Sequence, residues 1–117
     1  MTVEPPFPGD GTGDGAIVTV FRSKLRRGVE ARYQSVAAAM EARARTMEGF
    51  VDFASFVAAD GERVAITVFA DPTSHDRWRD DPEHRRAQAL GRDQFYEEYS
   101  IQVCQRFTVR RFARPAE

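Results

Sequence analysis

The chain has 117 residues, 42% of them hydrophobic and 30% charged, with 17 basic against 18 acidic side chains for a net charge of −1. That length fits one domain, and the charge balance excludes nucleic acid as the main partner, since phosphate binding needs a basic excess. The single cysteine, Cys104, excludes an intrachain disulfide and a cysteine-rich metal centre. No basic start runs into an apolar stretch and nothing approaches a membrane span, so a cytoplasmic protein without membrane association is expected.

Residues 1–15 (MTVEPPFPGDGTGDG) are rich in Gly and Pro and poor in apolar groups. They bury too little to offset their ordering entropy and read as a flexible tail before a domain over 16–114. Ala16 to Lys24 is β-branched and aromatic, a first strand. After Gly28, a helical period from Val29 to Met47 puts Val29, Tyr33, Val36, Ala37, Met40, Ala44 and Met47 on one face. Gly49 suits the helix exit. Phe50 to Ala59 and Glu62 to Ala70 read as two strands, with Asp60-Gly61 as a type I′ hairpin turn. Asp71-Pro72 is an N-cap with proline in the first turn, opening a short helix through Arg79. Asp81-Pro82 restarts the helix, which is expected to run to about Tyr99, and Ser100 to Phe112 is the last strand.

This order of strand, helix, strand, strand, helix, strand predicts an α+β fold, a ferredoxin-like βαββαβ sandwich. Its antiparallel sheet carries helices on one face. The strands are apolar at both parities, for example Val18 and Val20 with Ile17 and Phe21. One helix layer covers only one face, so a homodimer packed through the open sheet face is expected.

Both histidines and the only tryptophan fall in one short stretch, as His75, Trp78 and His84. Trp78 reads as a core anchor, as a pocket wall, or as both. His75, three residues before it, is a local hydrogen-bonding group or a base. His84 sits in a first helical turn, where the helix dipole disfavours its charged form. A neutral imidazole there can take a proton from a phenol or enol, or bind a haem iron. A solvated histidine among Glu83, Arg85 and Arg86 is the competing reading. Phe95, Tyr96 and Tyr99 give the last helix an aromatic end, with Phe95 and Tyr99 expected to pack inward. Cys104, mid-strand, reads as a buried inert thiol. There is no phosphate-binding glycine loop, no His-x-x-x-His or Cys-x-x-Cys spacing for a metal, and no asparagine anywhere.

The stretches IVTVFRSKL, EGFVDFASF, VFADPTSHDRWRDDPEHRRAQ and GRDQFYEEYSIQVCQRF carry a resemblance to the antibiotic biosynthesis monooxygenase superfamily of dimeric α/β barrels. It spans about residues 16 to 112, and the tryptophan followed by a proline-glutamate-histidine run is its most specific part. The resemblance implies a pocket between sheet and helices and a barrel at the dimer interface. It implies either oxygenation of phenolic polyketide intermediates without metal or flavin, or haem binding and degradation; many members have no known activity. Trp78 matches the family's pocket tryptophan. The iron-binding histidine of the haem degraders falls where this chain has Ala87-Gln88, and their first-strand asparagine falls near Phe21. The asparagine that the polyketide oxygenases use near the tryptophan is absent, and Gln88 is the candidate replacement.

The resulting expectation is a cofactor-independent monooxygenase of a small aromatic ligand such as a phenol, anthrone or quinol. Trp78, His84 and His75 carry the chemistry, and Phe21, Phe53, Phe69, Gln88, Phe95, Tyr96 and Tyr99 line the substrate site. A non-catalytic small-molecule-binding or stress-related dimer, and a haem protein, are the alternatives.

Overall fold

The structure, a computed structural model, describes residues 15–116. The predicted tail lies, except for Gly15, outside the described residues. The elements follow the order β1 (Ile17–Leu25), α1 (Glu30–Thr46), β2 (Phe50–Val57), β3 (Arg63–Phe69), α2 (Pro72–Asp80), α3 (Pro82–Leu90), a π-helical turn Gly91–Phe95, and β4 (Tyr96–Gln105). The four strands form one sheet in the order β2-β3-β1-β4, every neighbouring pair antiparallel. The fold is thus the expected α+β ferredoxin-like sandwich with its helices on one face. Among the described residues, no helix is long and apolar enough to cross a membrane.

Register decides which side chains meet the helices. Phe53, Thr67, Thr19 and Val103 lie across the four strands in one row, and Ala65, Phe21 and Ile101 continue it in the next. These side chains look toward the helices. The alternate rows, with Ala54, Ile66 and Val20 or with Phe56 and Val64, look the other way. A register shift between Phe50 and Asp52 resolves the parity of β2, which its sequence leaves ambiguous. It lets Phe50 and Phe53 both face the helices, while Phe56 stands 60% exposed on the open face. A small core of Ala44, Phe69 and Trp78, edged by Met40, Met47 and Phe50, ties α1 and α2 to the sheet.

Four local expectations are corrected. The hairpin turn is not type I′: within it Gly61 has a positive φ, +89°, but Asp60 does not. Gly61 N–H donates to the Ala58 carbonyl and Ala58 N–H to the Glu62 carbonyl, so the loop spans three residues and closes on a glycine bulge. The last helix does not run to Tyr99. It ends at Leu90, one π-helical turn follows, and β4 begins at Tyr96 and stops at Gln105 rather than Phe112. The Tyr-Glu-Glu-Tyr run suits a helix locally, but pairing of Tyr99 with Ser23 and Glu98 with Lys24 overrides that preference. Tyr99 is consequently 39% exposed on the edge strand, whereas Phe95 is buried at 2%. Cys104, expected to be buried, is exposed on that same strand.

Candidate functional site

Two capped helix starts hold the site together. Asp71 accepts from Ser74 N–H at 2.8 Å while its own N–H reaches Ser74 Oγ at 3.4 Å, a reciprocal cap that starts α2. Gly49 lies against this cap. Its φ is +83°, and a Cβ there would sit 2.3 Å from Ser74 Oγ. Asp81 caps α3 by accepting from His84 N–H at 3.0 Å. The same carboxylate receives a bidentate pair from Arg43, at 2.7 Å on both arms. The Arg43 hydrogen bonds hold the Asp81 carboxyl well down, at about 2, and fasten α1 to the α2–α3 corner.

That corner presents Trp78 and His84 together. The two rings stack at 4.0 Å with 11° between their planes, and Phe69 stacks behind Trp78 at 6.2 Å. His84 Nδ1 lies 2.9 Å from the Trp78 carbonyl oxygen. A carbonyl only accepts, so Nδ1 carries the proton and Nε2 is left as the ring's acceptor. Burial lowers the His84 pKa below the usual 6.5, outweighing the upward pulls of the Trp78 carbonyl and Asp81. The imidazole is therefore neutral at pH 7. The helix-dipole expectation had the right direction, but desolvation is the principal cause. His75 Nδ1 lies 3.0 Å from Asp76 Oδ1, the local pairing expected of it.

Between the sheet and the helices is a cavity of about 350 Å³. His75, Trp78 and His84 line it, as do Phe21, Phe53, Gln88, Phe95, Tyr96 and Tyr99. Phe69 does not: it is 1% exposed and forms the layer beneath Trp78. Expected to line the substrate site, it does face the helices, but the tryptophan covers it. The far wall is an aromatic cluster in which Phe21 meets Tyr96 at 5.3 Å and Tyr99 at 5.4 Å, and Tyr33 meets Tyr96 at 6.0 Å. Burial first, and the adjoining Tyr33 second, push the Tyr96 hydroxyl up, so it remains a proton donor through the neutral range. Tyr33 itself was not among the expected site residues, although the apolar stripe of α1 pointed to it. Arg79, Arg92 and Glu41 also reach the cavity and carried no recognisable signal. Among the described residues, no group of three or more His, Cys, Asp or Glu is gathered as for a metal ion.

An apolar and aromatic cavity with a neutral imidazole and a phenol can hold a planar ring and exchange one proton with it. Residues 16–90 match the family model described as antibiotic biosynthesis monooxygenase. The uncharacterized protein YqjZ of Bacillus subtilis is 26% identical over 103 residues, covering 88% of this chain and 82% of its own. Among solved structures, SnoaB, a cofactor-independent oxygenase from Streptomyces nogalater, superposes with a TM-score of 0.69 at 23% identity, over 84% of this chain and 96% of its own. A conserved protein of Methanosarcina mazei Go1 superposes with a TM-score of 0.73 at 12% identity, over 81% and 96%. Fold and family match agree, and the chain belongs to the antibiotic biosynthesis monooxygenase family.

Proposed function

We propose that the cavity binds a small electron-rich aromatic substrate, of the phenol, anthrone or dihydroquinone type, and inserts one atom of molecular oxygen into it without a cofactor. The observation that carries this reading is the His84–Trp78 pair: a neutral imidazole with Nδ1–H committed to a carbonyl and Nε2 open as acceptor, stacked on the aromatic wall. Family membership supports the reaction class.

In this reading Trp78 and Phe21 hold the substrate ring and His84 Nε2 takes its acidic proton, with His75 as the nearby second imidazole. Tyr96 donates a hydrogen bond to the carbonyl or phenol oxygen, and Tyr99, Phe53, Phe95 and Gln88 line the rest of the site. The resulting carbanion or phenolate passes an electron to oxygen, and the radical pair combines to a peroxide. For an anthrone, loss of the second methylene proton breaks the O–O bond, so that CH₂ and O₂ become C=O and water. The substrate supplies all the electrons, and the protein supplies the base and a water-poor enclosure.

Haem does not suit these residues. The position of the haem degraders' iron ligand holds Ala87 and Gln88, with His84 about one helical turn earlier, and about 350 Å³ is near the lower end for small-ligand sites, room for two or three fused rings rather than a tetrapyrrole.

A second copy of the chain is the proposed cover for the open sheet face. Val20, Ile66 and Ala54 are only half-buried there, and Phe56 is exposed. The enzyme reading is tested by oxygen uptake with anthrone and dihydroquinone substrates. Uptake above the spontaneous rate, reduced in Trp78→Phe and His84→Gln, is the expected result. Ligand-induced thermal stabilisation without turnover would instead make the protein a binding module.

A further inference from the structure

Beside the main cavity, toward the β2–β3 hairpin, is a second one of about 200 Å³. Phe21, Tyr33, Phe53 and Ala65 belong to the walls of both, so the two spaces adjoin. Their chemistry differs. The second cavity is lined by Ser23, Ser55 and Arg63 as well as by aromatic groups.

Ser23 is 2% exposed, and its Oγ has no hydrogen-bond partner among the described residues. A buried hydroxyl left unpaired is costly, which calls for a ligand or a role. Directly across the β1–β3 ladder stands Arg63. Its guanidinium lies 5.1 Å over the Tyr33 ring, and it is only partly exposed. None of the ion pairs among the described residues includes it. The acidic residue of this cavity wall, Glu41, is bound to Arg45 at 2.8 Å. A half-buried cation without a carboxylate therefore borders this space, and a buried hydroxyl without a partner lies in its wall on the neighbouring strand.

We propose that this second cavity receives an acidic substituent of the aromatic substrate, a carboxylate on a short arm. Arg63 is its ion-pair partner and Ser23 its hydroxyl donor. The substrate is thus an aromatic acid whose ring lies against Trp78 and whose carboxylate passes Tyr33. This rests on the reading that the main cavity holds the ring.

Trp78 is the only tryptophan, so its fluorescence reports ring binding directly. The test titrates the full chain with 4-(1-naphthyl)butanoate, with its neutral primary amide, and with naphthalene. The acid is expected to bind about tenfold more tightly than the amide, the scale of one charge-assisted contact. Arg63→Gln removes that preference while leaving amide affinity within about twofold, Arg63→Lys keeps part of it, and Ser23→Ala lowers acid affinity about threefold. Unchanged amide binding in the Arg63 variants shows that the cavity itself is intact. Equal affinity of acid and amide in the wild type, or a preference that survives Arg63→Gln, overturns the inference while naphthalene quenching upholds the ring site. If none of the three probes perturbs Trp78, this inference and the reading of the main cavity fall together.

Discussion

At the scale of single residues, the site depends on how His84 is held. Its Nδ1–H is fixed by a backbone carbonyl and its pKa is lowered by burial, so the base form is lost only as pH falls through a value below 6.5. The turnover proposed here should therefore show an acid limb in kcat/KM below that pH and no matching change up to pH 9, because the Tyr96 hydroxyl is pushed up. His84→Gln should lower kcat about 100-fold with little change in KM and remove the limb. Gly91→Ala tests the opposite wall: its φ of −59° is ordinary, but the new Cβ would lie 2.4 Å from the Tyr96 ring. The ring must move, and aromatic ligands should bind several-fold more weakly, a change that Trp78 quenching reads. Trp78, His75 and His84 could be picked out from sequence because rare, chemically capable side chains sit close together there. Arg63 and Ser23 could not. Their apposition comes from the register between β1 and β3, two strands that are not consecutive in the chain and so share no turn that a sequence could reveal.

At the scale of elements, one carboxylate fastens three helices' worth of structure. Asp81 starts α3, accepts the Arg43 fork from α1, and follows directly on α2. Asp81→Ala should cost about 2 kcal/mol from the lost cap and ion pair, lowering Tm by about 10 °C in a thermal melt. The sign with pH follows from its depressed carboxyl. The stabilisation is complete above the ordinary value of 3.8 and disappears as pH falls through about 2, so Asp81→Asn should flatten the acid side of the stability profile. Gly49→Ala should destabilise more severely than an exposed glycine change such as Gly28→Ala. Both have positive φ, but only Gly49 would also collide with the Ser74 cap. Most element types were readable because their apolar periods and punctuation agree. The stretch from Leu90 to Tyr99 was not, since helix-forming glutamates sit between tyrosines whose partners, Phe21 and Tyr33, come from β1 and α1.

At the scale of the whole molecule, the sheet presents a helix-covered face with the cavities and an open face with half-buried aliphatics. Light scattering coupled to size exclusion should give a mass near 26 kDa, twice the 13.2 kDa chain. Ile66→Asp, on the open face, should shift it to monomer; a wild-type monomer would contradict the proposed pairing. The family and the two-layer fold were legible because strand order and the Trp78 region persist in the sequence, whereas the reaction depends on the cavity's detailed occupancy. The central claim is oxygen insertion at the His84–Trp78 wall by protein and substrate alone. Its most direct test incubates chelator-treated protein with an anthrone under ¹⁸O₂ and follows the label by mass spectrometry. One ¹⁸O atom per quinone, formed faster than in buffer and at about 1% of that rate in His84→Gln, is the predicted result. Product formation no faster than in buffer, or equal in the variant, would contradict it.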